Sequence, residues 1–294
     1  MGTREERRIA LVTDSTASLT ASEASELGVV VVPVQVIIGA TVYDDGMATP
    51  DMVATALKEW TPVSTSRPNP STFLEAYEKA AAAGATEILS IHLSAELSGT
   101  VESARLAARE ASAKGIKVTV FDSEQSAFAL GYAVRAAAEV VADGGSVRKA
   151  VNAAKRSIAG SQTIFYVDTL EYLRRGGRVS AVGAILGGAL SVKPLLRLQD
   201  GKIESFEKVR TAGKALARVE ELAVSHAASL GEEVHVHVTV GHLASPDRAK
   251  ALADKIAHRL GDQLADDVRV GELGAVLGAH VGPGMIAAVV VPAR

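Results

Sequence analysis

Four short stretches concentrate hydroxyl side chains that could hold an oxyanion such as a carboxylate or phosphate. They are "PVSTSRPNPSTF" (62–73) with Thr65 and Ser66, "TDSTAS" (13–18) with Asp14 and Ser15, "HLSAELSGT" (92–100) with Ser98, Gly99 and Thr100, and "FDSEQSA" (121–127) with Ser123. Pro68 and Pro70 each remove a backbone donor and restrict the residue before them, so the first stretch cannot be a helix interior. Ser98 is expected to open a helix, where free N–H groups and the positive end of the dipole favour an anion. Serine, threonine and aspartate are also ordinary caps and turn residues, so any one loop is weak evidence. Four at one sheet edge point to a site.

A second cluster is "YLRRGGRVSAVGAILGGALSVKP" (172–194), where Arg174, Arg175 and Arg178 surround a glycine pair. Arginine grips carboxylate or phosphate through two parallel hydrogen bonds, and the following apolar run, 179–192, offers one wall for an apolar ligand or a buried helix. A third is "GAHVGPGMIAAVVV", with His280 held between glycines. Its Gly-x-Gly-x-x-Ala spacing is no dinucleotide fingerprint, because a β-run follows it and no further βαβ unit remains.

Other chemistries lack support. There is no Gly-x-Ser-x-Gly elbow to sustain a triad of Ser98, His280 and Asp122, and no Walker loop. His235 and His237 alternate with valines without carboxylates or cysteines at ligand spacing, which reads as a polar strand face rather than a metal site. Asp44-Asp45-Gly46 reads as a turn. The chain has no cysteine, which excludes disulfides and thiol chemistry, and a net charge of -3 gives no support for a nucleic-acid partner. The charged start "MGTREERR" is no secretory leader, and no apolar run reaches the ~20 residues needed to span a bilayer. A cytoplasmic location is expected.

The elements that would carry these loops are legible. With 294 residues, 48% hydrophobic but only 4% aromatic, the chain suits small-residue helices packed on aliphatic strands. "RIALVT", "VVVVPVQVII", "EILSIHL" and "IKVTVF" alternate with helices near 20–27, 50–59, 70–83 and 98–114, which predicts a mainly parallel sheet in a three-layer α/β/α unit over 1–158. Helices follow at 125–142 and 146–158. Then "TIFYVD", the hairpin "PLLRLQDGKIESFEKV" turning at Asp200-Gly201, "VHVHVTV", "VRVGEL" and 286–291 predict a mixed six-stranded sheet with helices near 211–230 and 246–260 on one face, over 159–294. The fold class is α/β in two domains, and ligands in such open sheets sit beyond the strands' carboxyl ends.

"VTDSTASLT", "STSRPNPSTF", "HLSAELSGTVESA", "VFDSEQSAFALG", "YLRRGGRVSA", "KPLL" and "HVGPG", in this order, closely resemble the DegV family of bacterial fatty-acid-binding proteins, the FakB subunits of fatty acid kinase. The family's "TSQPS" stands here as "TSRPN", so Arg67 and Asn69 depart from it. The resemblance implies a DegV-like (EDD) fold that holds one long-chain fatty acid in a tunnel between its domains. It implies carboxylate contacts from Thr65, Ser98, Arg178 and His280, support from Asp14, Ser15, Ser66, Gly99, Thr100 and Ser123, and partner or phosphate contact at Arg174 and Arg175. It implies no catalytic group, metal or cofactor of the chain's own, and a fatty acid kinase catalytic subunit as partner that phosphorylates the bound carboxylate. Stable membrane insertion is not expected, though transient membrane contact would suit the ligand. The alternatives are a subunit or enzyme for a small polyol or phosphorylated metabolite, like the dihydroxyacetone kinases, or a regulatory interaction module.

Overall fold

The computed structural model describes residues 8–179 and 192–293. The apolar wall expected at 179–192 therefore lies outside the described residues, apart from its two ends. The first sheet has four parallel strands in the order β2 (Val29–Val32), β1 (Ile9–Asp14), β6 (Glu87–His92), β7 (Val118–Asp122). Side chains of alternate parity leave opposite faces of a strand, so Val12 and Ile88 meet α3 (Pro70–Ala82) and α4 (Thr100–Ala113), while Leu11 and Leu89 meet α5 (Ala127–Ala142) and α6 (Val147–Ala159). Ala104, Ala107 and Ala111, spaced three and four apart, give α4 a smooth stripe against the sheet. These are the three layers that the alternating pattern implies.

Local signals act as expected in α1 (Ala21–Glu26), where Thr20 and Glu23 form a reciprocal capping box. Pro70 starts α3 behind Asn69, whose side chain makes no capping bond. Ser98 does not itself open α4; Gly99 is the cap residue and the helix begins at Thr100. Gly131 lets α5 lie against the turn that follows β1, because a Cβ there would stand 2.5 Å from the Ala17 carbonyl oxygen. Gly131→Ala should therefore cost about 1–3 kcal/mol by overpacking against backbone, seen as a lower denaturation midpoint at unchanged m-value; an unchanged midpoint would show that the turn gives way freely.

The run "VVVVPVQVII", read from sequence as one strand, is two. Pro33 cannot donate to a ladder, and beyond it β3 (Gln35–Ile38) joins a separate antiparallel sheet between β4 (Thr41–Asp44) and β5 (Val63–Ser66). This small sheet is the part of the architecture that periodicity did not separate, whereas α2 (Pro50–Lys58) lies where the helix near 50–59 is expected.

The second sheet is mixed, in the order β10 (Lys202–Val209), β9 (Lys193–Gln199), β8 (Gln162–Tyr166), β13 (Ile286–Pro292), β11 (Val236–His242), β12 (Arg269–Glu272). Asp200 and Gly201 turn the β9–β10 hairpin with φ of 48° and 76°, the left-handed pair that a two-residue hairpin needs. α8 (Ala212–Ser229) and α9 (Pro246–Leu260) cover one face. The other face presents Phe165, Leu196, Ala287 and Val289 towards Phe128 and Ala129 of α5.

Polar ties join the two sheets' elements around this apolar seam. Tyr132 and Thr239 share a hydroxyl hydrogen bond of 2.9 Å, and Ser94 donates to the Gly201 carbonyl at 2.7 Å. Glu23 on α1 pairs with Arg135 on α5 and with Arg269 on β12. Partial burial raises the Glu23 carboxyl, but the Thr20 N–H and the two guanidinium groups outweigh it and bring the group down to about 2. Among the described residues no helix is long and apolar enough to cross a membrane.

Candidate functional site

Two distant segments meet at one hydrogen bond. Thr65, on β5, lies 2.8 Å through Oγ1 from Nε2 of His280, near the end of α10 (Ala275–Val281). The small antiparallel sheet makes this possible. Val34, Val36, Val53 and Leu57 form a cluster with Ala275, Val276 and Ala279, so α10 docks on β3 and α2 beside β5. Asp45 holds its N-terminus, accepting from Val276 N–H at 3.4 Å. Burial pushes the Asp45 carboxyl up, partly offset by Ser15 and by the N–H groups of Val276 and Ala275. In sequence Asp45 reads only as a turn residue, because its partner lies at the other end of the chain.

His280 is largely enclosed. Its Nδ1 is buried with no hydrogen-bond partner among the described residues, against Gly176, where a Cβ would collide with it. Burial, then the Arg178 guanidinium, hold the ring down to about 4, so it is neutral at pH 7. An unpartnered Nδ1 is least costly as a bare lone pair, which leaves the proton on Nε2. Nε2 then donates to Thr65, and the Thr65 hydroxyl proton is free to point at a ligand.

Arg178 is oriented by two carbonyls, with Nε donating to Leu97 at 3.1 Å and Nη1 to Gly176. Ser98 Oγ lies 2.9 Å from Thr100 Oγ1 and accepts from Thr100 N–H at 3.3 Å, at the start of α4. Thr65, Ser66, Ser98, Arg178 and His280 line one cavity together with Arg67, whose guanidinium lies over Gly99. Arg67 was noted in the sequence only as a departure from a motif. Away from these groups the wall is mainly apolar, with Phe128, Phe165, Leu198, Ile203, Met285 and Val289 contributed by the six-stranded sheet, its flanking loops and α5, and with Thr16, Ser126 and Thr163 among them.

The remaining loop residues sit behind the cavity. The fully buried Asp14 accepts from Thr16 N–H (3.1 Å), Thr16 Oγ1 (2.6 Å) and Leu93 N–H (3.0 Å), and pairs with His92 Nδ1 at 3.0 Å. It thereby braces Thr16 and Leu93, both of which line the cavity. Ser15 accepts from Val34 N–H at 3.0 Å, and Ser123 accepts from Gln125 N–H at 3.0 Å while donating to the His92 carbonyl. His92 continues to Ser90 at 2.6 Å and Ser90 to Tyr77 at 2.9 Å. This Asp-His-Ser order looks like a nucleophilic triad, but all of its side chains are sealed inside the first sheet's core, so no substrate reaches Ser90. Asp122 is engaged with the N–H groups of Ala95 and Glu124 at the other end of its loop.

Arg174 and Arg175 lie outside the cavity, exposed, and both pair with Glu171 at 2.8 Å. Arg175 also lies 5.4 Å over the exposed Trp60 ring. His237 does not meet a metal-like cluster; it pairs with Asp266 at 3.1 Å and stacks on Tyr132. Among the described residues no group of three His, Cys, Asp or Glu side chains is arranged to hold a metal ion.

Residues 8–293 match the family model described as "Uncharacterised protein, DegV family". A DegV domain-containing protein of Streptomyces coelicolor is 50% identical over 285 residues, covering 97% of this chain and 98% of the relative. Another from Deinococcus radiodurans is 39% identical over 97% of this chain and 98% of the relative. Among solved structures, a Thermus thermophilus DegV family protein described by its fatty acid binding superposes with a TM-score of 0.88 at 32% identity, over 97% of this chain and all (100%) of that one. A Bacillus subtilis DegV described as a fatty acid binding protein gives 0.87 at 28% identity, over 98% and 100%. The mixed α/β architecture, the parallel sheet and the six-stranded mixed sheet are those of this group, and the chain belongs to the DegV family.

Proposed function

We propose that the chain binds one long-chain fatty acid in this cavity and presents the carboxylate to an ATP-dependent fatty acid kinase partner. The observation that carries the reading is the lining itself, with hydrogen-bonding and cationic groups gathered around Thr65 and His280 and an aliphatic and aromatic wall elsewhere. The fatty acid binding described for two related structures supports it. A polyol would leave that wall unmatched.

Each buried methylene contributes ~0.8 kcal/mol, so about fourteen supply on the order of 11 kcal/mol before association costs. The chain therefore dominates affinity. Thr65 donates its free proton to the carboxylate, Ser98 adds a hydroxyl, and Arg178 balances the charge. In the kinase step a carboxylate oxygen would attack the γ-phosphorus of the partner's ATP. The bond to the β-phosphate bridge breaks, ADP leaves, and the acyl phosphate stays in the cavity. This chain supplies position and the partner the transfer, with Arg174 and Arg175 as an exposed cationic edge for contact. Charge reversal at both that left transfer unchanged would remove them from that role.

Thr65→Ala or Ser98→Ala should keep acyl affinity within about tenfold, the equivalent of ~1.4 kcal/mol, while acyl phosphate formation drops by a larger factor. Lost binding with normal turnover of the residual complex would contradict that division of labour. The direct test is native and then denaturing mass spectrometry of the purified protein. A released long-chain acid at near one per chain is expected; an empty protein that also fails to take up added oleate or palmitate overturns the carrier reading.

A further inference from the structure

The hydroxyls lining the cavity fall into two groups. Thr16 is bound to Asp14, Thr65 to His280, Ser66 to Gln35 at 3.2 Å and Ser98 to Thr100. Ser126 and Thr163 have buried hydroxyl oxygens with no partner among the described residues. Buried threonines elsewhere are satisfied, Thr13 by the Ile91 carbonyl at 2.7 Å and Thr239 by Tyr132. Partnerless hydroxyls also occur at Ser18 and Ser103, but neither lines this cavity.

Thr163 stands where an aliphatic residue would be expected. It shares a face of β8 with Phe165, and its register partners are Leu198 and Val289, both apolar and both in the cavity wall. Valine has the same shape and an equal liking for strands, so packing alone gives no reason for the hydroxyl. β13 follows the loop after His280, and Val289 with its partner Thr163 stands about 13 Å along the strand direction from Met285, while Thr163 shares a register row with Leu198, Ile203 and Val179, so β9 and β10 lie between it and the residue next to Arg178. Ser126 is 8% exposed and occupies the cap position of the 16-residue α5, yet its side chain makes no capping bond. The first N–H groups of that helix are left without it, beside an unpaired hydroxyl that faces the cavity.

We propose that Thr163 and Ser126 form a second polar station in the cavity wall, and that it selects long-chain acids carrying an oxygen substituent, a hydroxyl or oxo group, on the chain. This rests on the fatty acid reading above. A plain acyl chain would displace water from both hydroxyls and leave them unpaired in an apolar wall, which is disfavoured. A hydroxylated chain supplies a partner, and its own hydroxyl is not stranded.

The test compares stearate with a series of its hydroxy derivatives, substituted from mid-chain to the terminus, for displacement of a fluorescent fatty acid from the full-length protein, its Thr163→Val variant and its Ser126→Ala variant. At least one hydroxystearate is expected to bind the wild type as tightly as stearate or more tightly. Thr163→Val should weaken that acid about tenfold, ~1.4 kcal/mol, without weakening stearate, and Ser126→Ala should act in the same sense. An ordinary apolar tunnel would instead reject every hydroxystearate by about tenfold or more, with neither variant changing the ratio. That result overturns the second station and leaves fatty acid carriage standing. Failure of stearate and all its derivatives to bind overturns both.

Discussion

Asp14→Ala is expected to destabilise the protein by about 3–5 kcal/mol, the cost of leaving several buried hydrogen-bond partners of one carboxylate uncompensated. The variant strands the N–H groups of Thr16 and Leu93 and removes the partner of His92, all inside the first sheet's core. Urea denaturation measures it, and a loss below about 1 kcal/mol would mean that the loop refills the space or admits water. Asp14→Asn keeps the shape and one acceptor oxygen, so it should fall between. Thr16 and Leu93 line the cavity, so a weaker loss of ligand affinity should accompany the lost stability in both variants.

Acid should destabilise the protein through His280. Its folded-state pKa of about 4 lies below the ordinary 6.5, so between those values the unfolded chain takes up a proton that the folded chain refuses. Stability from the neutral ring is fully present above pH 6.5 and is lost as pH falls towards 4, by about 3 kcal/mol in total. His280→Gln keeps a donor for Thr65 and cannot titrate, so its stability should be flatter than wild type across this window. Equal slopes would show that water reaches the ring. Glu23, held down to about 2, keeps its contribution through most of this window and loses it mainly below pH 4.5, so the two groups separate by pH. A carboxylate seated beside Thr65 opposes the effect of burial, so bound fatty acid should raise the His280 pKa and reduce the acid loss.

Local chemistry explains why so much was legible. The strand–helix alternation of the first half, the capping box at Thr20, the Asp200-Gly201 turn and the six strands of the second sheet each depend on residues within a few positions of one another. The split of "VVVVPVQVII" hinged on whether one proline ends a strand, and apolar content on either side gave no sign that the two halves pair with different sheets. The hydroxyl loops were recognisable as a group by residue type. Their division of labour was not, because Asp14, Ser15 and Ser123 spend their side chains on backbone N–H groups and neighbouring side chains while Thr65 and Ser98 reach the cavity.

By itself, then, the sequence determined the fold class, the family and the residue types available at the site, since periodicity, turn chemistry and ordered motifs are local properties. Only the tertiary structure decided that Thr65 meets His280 across 215 positions, that Asp45 holds the helix carrying that histidine, and that the Thr163 hydroxyl, without a partner among the described residues, lines the cavity. Each depends on which distant surfaces pack together, and a hydrogen bond short enough to matter forms only after that packing has set the distance.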